Sequence, residues 1–228
     1  HPQALIFPLA VTTTMSSGQD VKIRKESAQR IMDHMREKFS PLVEAAQIVA
    51  KELVRVAVLW HERWQAGLEK ACSLYFAEKN IEGMLEVLAP LHKMMETGGE
   101  TVNERAFIHS FGRELDDALK WCTSYRRTKR ETDLNQAWDL YYQVFRKINK
   151  QLPTSTTLEL QAVSTRLYRA GSMALAVPGT YRAGEKLVTI EGIHPALTVI
   201  PSKQRPRKLT IKASDGRDWE FLLKGHED

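Results

Sequence analysis

The sequence predicts a mainly α protein: a four-helix bundle, preceded by a helical segment and followed by a small antiparallel β-sheet. Three observations carry that expectation. From Ser40 to Gln151 apolar residues recur at three- and four-residue spacing with few breaks, the period of helices with one buried face. The links between these patterns are short, which favours antiparallel neighbours, so Leu53–Gln151 reads as one bundle. After Leu152-Pro153 the pattern turns to β-type runs, and Ser214-Asp215-Gly216 joins the last two as a hairpin. The expected division is therefore 1–52, 53–151 and 152–228.

Composition sets the outer limits. With 43% hydrophobic and 27% charged residues over 228 positions, the chain can bury a real core and is not of the disordered class. No apolar run approaches the roughly 20 residues of a membrane span. A net charge of +5 is modest for this length: it permits a nucleic-acid partner without requiring one, and none is expected. Cys72 and Cys122 lie in helix-patterned sequence with no CxxC or Cys/His cluster, as reduced thiols of a cytoplasmic protein do. His1 is no natural initiator, HPQALIFPLAV lacks a signal peptide's basic start, and LLKGHED follows a strand-like run directly. The expectation is a piece of a longer protein.

In chain order, the first twenty-odd residues read as a mixed segment ending in a polar loop, MSSGQD. Helical patterning follows from about Ser27, with Ile31, Met32 and Met35 spaced for one face. Ser40-Pro41 looks like a helix start, serine suiting the cap and proline the first turn. From there to Lys79 only Gly67 interrupts, which suggests one long helix or two abutting ones. Trp60, Trp64, Leu68, Ala71 and Tyr75 form its stripe, with Cys72 and Phe76 along the edge. Asn80 caps a helix carrying Met84, Leu85, Leu88, Leu91 and Met95 before Gly98-Gly99, in which Pro90 is expected to make a kink or move the boundary. Thr101-Val102-Asn103-Glu104 is a capping box. The helix it opens runs to about Tyr125 with Phe107, Phe111, Leu115, Ala118 and Trp121/Cys122 inward, and a basic link, Arg126–Thr132, follows. A short turn or helix is expected over Leu158–Leu167, and strands over Leu187–Ile190, Leu197–Ile200, Lys208–Lys212 and Trp219–Lys224. In the last strand Glu220, Leu222 and Lys224 share one face.

The helix around Leu134–Ile148 is apolar over too wide an arc for simple core cover. Leu134, Ala137, Tyr141, Val144 and Ile148 make one row. Asn135, Trp138, Tyr142 and Phe145 make a second, and together they span roughly 180°, where a one-sided helix needs little over 100°. The second row is either more core or, beside Leu68, Cys72 and Phe76, the wall of an apolar binding groove.

Self-sufficient catalysis finds no support. HExxH, GxSxG, a Walker A lysine loop and metal-spaced Cys/His clusters are all absent from the sequence, and His61-Glu62 reads as a surface pair. The basic run Ser202–Lys208 is either a solvated turn or a loop that holds phosphates, with Lys224 one hairpin downstream as the lysine that reaches them.

The residues themselves then carry a resemblance. LWHERWQAGLEKACSLYFAEKNIEGMLEVLAPLH and LNQAWDLYYQVFRKINKQL closely resemble the FKBP–rapamycin-binding domain of the target-of-rapamycin (TOR) kinases. LELQAVS, LAVPGTY, SKQRPRKLTIKASDG and FLLKGHED resemble the start of that family's kinase domain, and HPQALIFPL the end of its preceding FAT helical region. The resemblance implies a serine/threonine protein kinase using ATP with magnesium, protein substrates, TOR-complex subunits and an FKBP-type immunophilin that binds together with rapamycin. It implies a groove for rapamycin and substrate docking at Leu68, Cys72, Tyr75, Phe76, Asn135, Trp138, Asp139, Tyr142 and Phe145. Cys72 stands where serine is usual in the family and Asn135 where threonine is common. A thiol is only slightly larger than a hydroxyl, so binding is expected to survive. For ATP it implies the loop serine Ser202, the lysine Lys224 with acidic neighbour Glu227, and Ile200, Pro206 and Leu222 around the adenine. The family's catalytic and metal-binding loops have no counterpart in the sequence, so no phosphotransfer by this chain alone and no bound cofactor are expected. The alternative is a purely structural helical scaffold without a ligand groove.

Overall fold

The computed structural model describes residues 1–14 and 19–225. Within it the chain divides into two compact units, Val58–Thr156, and His1–Ala57 with Thr157–Asp228.

The first of these units is the bundle, four helices whose starts are written in local chemistry. α3 (Trp60–Cys72) opens after a break at Val58–Leu59. There the Leu59 N–H donates to Glu62 Oε2 at 2.8 Å, so the helix's own carboxylate satisfies a free end donor. Glu62 is buried for that reason, and His61 stands edge-on to Phe107 and Phe111; the expected surface pair is instead a helix-start device and a packing ring. Asn80 caps α4 (Ile81–Glu96), its Oδ1 accepting from Gly83 N at 2.8 Å. The helix runs on through Pro90, because Leu88 and His92 on either side are both buried and packing outweighs the one missing N–H. In α5 (Val102–Thr128) the Thr101–Glu104 box closes in both directions, at 3.1 and 3.2 Å. The α5–α6 link is two residues, not seven: Lys129 takes a left-handed backbone (φ 58) and α6 (Glu131–Gln151) begins at once. Asp133 fixes this corner by accepting from Ser124 and Thr128, each at 2.7 Å. Those two hydroxyls hold its carboxyl below the ordinary range.

Trp64, Leu88, Phe107, Phe111, Leu115, Leu134, Tyr141 and Ile148 fill the bundle core. Trp121, expected inward with Cys122, is 39% exposed; Cys122 alone turns in.

In the second unit, α1 (Pro2–Thr13) replaces the expected mixed segment. Pro2 suits its first turn, and Ile6 and Ala10, one turn apart, are fully buried. α2 (Gln19–Ala57) starts earlier than Ser27; Met15–Gly18, part of the expected loop, lie outside the described residues. Ala28 and Met32 are buried in its first half, while Ile31 is 49% exposed. It is two helices joined at Phe39 (φ −132°, ψ 40°), just ahead of Ser40-Pro41, where the sequence placed a start.

The sheet comprises β1 (Thr157–Glu159), β2 (Ile190–Ile193), β3 (Ala196–Val199), β4 (Arg207–Ala213) and β5 (Asp218–Leu223). Two short helices, α7 (Leu160–Val163) and α8 (Thr165–Arg169), follow β1. β4 pairs antiparallel with β5 from Arg207↔Leu223 to Lys212↔Asp218, and its other edge takes β3 at Arg207–Lys208 and β2 at Ile211–Ala213. β1 is an addition, too short at three residues to show alternation in sequence. The strand expected at Leu187–Ile190 sits three residues later, because Val188 and Ile190 instead bond to the main chain of Val177 and Leu175. Leu209 and Ile211 point into this unit's core; Lys208, Glu220 and Leu222 lie on the open face.

Candidate functional site

Helices α3 and α6 build a groove of about 420 Å³ bordered by Leu68, Glu69, Cys72, Phe76, Trp138, Asp139, Tyr141, Tyr142 and Phe145. Its α3 side does not end as a regular helix. After Cys72 the chain widens into a π-turn over Ser73–Ala77, closed by Glu78 N–H to Ser73 O at 3.2 Å. The wider turn changes the angle between successive side chains, a device frequent at binding sites. Phe76 stands 53% exposed at the groove while Tyr75 folds onto Trp138, ring centres 5.5 Å apart. Phe76 also packs against Trp138 at 5.3 Å. Desolvation within this aromatic cluster pushes the Tyr75 phenol up from its ordinary pKa, with Glu131 adding to it.

The α6 side splits as its two rows predict. Leu134, Ala137, Tyr141, Val144 and Ile148 are all buried to 1% exposure or less. Tyr142 is 59% exposed, and Trp138 and Phe145 are half-buried. Asn135 is exposed and does not border the groove; Tyr75 likewise supports Trp138 from outside the lining set. Glu69 and Tyr141 join the lining unannounced. Glu69 lies three residues from Cys72, on the same helix face, a signal that could have found it. Tyr141 belongs to the core row and, at 1% exposure, lies as the buried floor beneath the groove, with Trp138 edge-on to it at 5.7 Å.

Beneath the groove lies a buried polar chain. The Tyr141 hydroxyl and His92 Nε2 share a 2.8 Å hydrogen bond, and the Cys122 thiol sits 3.6 Å from the same oxygen. Burial drops His92 to a pKa of about 4, so the imidazole is neutral, and its tautomer sets which of Nε2 and the Tyr141 hydroxyl donates. Burial likewise pushes the Cys122 thiol and the Tyr141 phenol up. The chain has no charge to expel, which is how polar atoms persist under an apolar surface.

Groove chemistry is accordingly simple: an aromatic trough with two carboxylates, Glu69 and Asp139, on its border. It can take a rigid apolar ligand edge or apolar side chains, and it offers no nucleophile–base pair. Among the described residues no three His, Cys, Asp or Glu side chains gather to hold a metal ion. The two cysteines are free, Cys72 at the groove and Cys122 in the core.

A second set lies in the unit with the sheet. The loop 201–206 between β3 and β4 is closed by Ile200 N–H to Pro206 O at 2.9 Å, and Arg205 N–H bonds to Ser202 O at 3.2 Å. Thr198, Lys208 and Leu222 align across three strands on the open face. Ile200 (38% exposed) and Leu222 (50%) are uncovered apolar side chains there, and Lys224 is exposed just beyond β5. Ser202 is exposed on the loop and Pro206 half-buried at its end. Glu227 lies outside the described residues.

Comparison with known proteins accords with this geometry. Residues 52–150 match the family model described as the FKBP12-rapamycin binding domain. That domain class is a helical bundle, and all nine groove-lining residues fall within the match. Over its whole length the chain is 54% identical to the serine/threonine-protein kinase TOR of Oryza sativa subsp. japonica and 51% identical to that of Arabidopsis thaliana. It is 49% identical to the serine/threonine-protein kinase TOR2 of Saccharomyces cerevisiae. The chain thus carries an FKBP12-rapamycin binding domain and is similar over its whole length to the TOR serine/threonine-protein kinases. It spans 9% of the length of each of these relatives. No helix among the described residues is long and apolar enough to cross a membrane.

Proposed function

We propose that the α3–α6 groove is the docking site of this protein, receiving rapamycin presented by an FKBP-type immunophilin and, in cells, apolar segments of protein substrates. One observation carries the reading: a helix with a complete buried row holds a second aromatic row open to solvent, facing a partner helix across about 420 Å³ of apolar space. Trp138 is its anchor, a half-buried ring braced by Tyr75, Phe76 and Tyr141. Rings held in place before binding lose little freedom on contact, so such residues dominate interface energy. Cys72 at the border leaves the trough open, since a thiol adds little volume. The test is capture of the 228-residue chain by an immobilised FKBP-type immunophilin. Capture should require rapamycin and be lost in Trp138→Ala; drug-independent or Trp138-insensitive capture would sink the reading.

In the same proposal the sheet unit contributes to ATP binding in a cytoplasmic kinase that works with other TOR-complex subunits. Ser202 and its loop hold phosphates, Lys224 reaches them, and Ile200, Pro206 and Leu222 flank the adenine, with Glu227 as the lysine's acidic neighbour. Support comes from the register, which aligns Leu222 and Lys208 on one face, and from the open apolar pair there. Among the described residues no three His, Cys, Asp or Glu side chains gather to hold a magnesium ion, which in this proposal accompanies ATP in the full-length kinase. The chain alone is expected to transfer no phosphate. Turnover of labelled ATP with a generic protein substrate would contradict that.

A further inference from the structure

Arg207 opens β4 and is 1% exposed. A guanidinium removed from water needs acceptors for its five N–H groups, and it receives main-chain carbonyls from two separate places. Nε donates to Val56 O at 3.2 Å, and Nη1 donates to Arg205 O. Val56 is the next-to-last residue of α2, where carbonyls lack a helical donor and carry the negative end of the helix dipole. Arg205 lies in the loop between β3 and β4 with a left-handed backbone, φ 46, which side chains resist. A donor on its carbonyl favours that conformation, and the same turn brings Arg205 N–H to Ser202 O.

We infer that Arg207 is the positioning residue of loop 201–206. It ties the loop to the end of α2 and so presets the backbone around Ser202 for nucleotide phosphates. The phosphate part of this inference rests on the reading of the loop given above; the positioning part does not. Arg207 itself faces the buried side of β4, opposite Lys208, and so would act through the loop.

Two measurements separate the parts. In the 228-residue chain, trypsin has a site after exposed Lys203, whereas Arg205 is protected by the following proline. Arg207→Met keeps the stem and removes the donors, and buried ionic groups tolerate such apolar replacement. It should speed cleavage after Lys203 by about tenfold, with Arg207→Lys intermediate because an ammonium can still reach one carbonyl. In full-length kinase carrying this chain, Arg207→Met should raise the KM for ATP about tenfold while kcat stays within about twofold. Unchanged cleavage together with unchanged KM overturns the inference, even if thermal stability falls. Faster cleavage with unchanged KM upholds the positioning role and overturns only the phosphate reading. Should Arg207→Met fail to fold, Arg207→Lys carries both measurements, its expected effects smaller and in the same direction.

Discussion

The two rows of α6 share a helix, a solvent and a largely apolar character, yet one holds the bundle together and the other stays open. Leu134, Ala137, Tyr141, Val144 and Ile148 are at most 1% exposed; Tyr142, one residue from buried Tyr141, is 59% exposed. Hydrophobicity does not separate a core residue from a binding residue here. What separates them is cover: the neighbouring helices of the bundle close over the inner row, while the outer row faces the end of α3 across the groove.

That comparison can be broken in graded steps. Leu134→Ala, in the inner row, should cost about 2–5 kcal/mol in denaturant unfolding of the bundle, through lost transfer energy and a cavity that cannot collapse. Acid should cost the bundle about 2–3 kcal/mol between pH 7 and pH 4.5. The sign follows from His92: its folded pKa is about 4, below the ordinary 6.5, so the unfolded chain binds the proton first and stability falls as pH drops from 6.5 toward 4. A His92→Gln variant should flatten that slope, and an unaltered slope would show that other groups set it. Tyr141→Phe removes only the hydroxyl shared with His92 and Cys122, and should cost about 1–3 kcal/mol by stranding buried polar atoms. Trp138→Ala should cost less stability than Leu134→Ala while removing rapamycin-dependent capture. If stability fell as far as in Leu134→Ala, the outer row would be core and the structural-scaffold alternative would gain. Asn135→Thr, exposed and off the groove border, should leave stability within about 0.5 kcal/mol and test only the drug's affinity.

Local patterns set out much of this fold in advance. The Asn80 cap, the Thr101–Glu104 box and the Ser214-Asp215-Gly216 hairpin need only neighbours in sequence, and each forms as its residues specify. Elements went astray where distant packing overrode a local rule: Pro90 inside an unbroken α4, the α1 helix despite Pro8, and β1, whose partner is the distant β3. Glu62 and Arg207 are the sharper cases. Both read as surface charges in sequence, and both are buried because main-chain groups found them.

Periodicity, caps and long motifs are local and linear, and from them alone follow the helical bundle, the two rows of α6 and the likeness to the TOR kinases. It took three-dimensional packing to leave the second row open, to swing Phe76 into the groove through a π-turn and to set Tyr141 as the buried floor beneath the trough. Exposure is a property of what the remainder of the chain leaves uncovered, and no single helix carries that information.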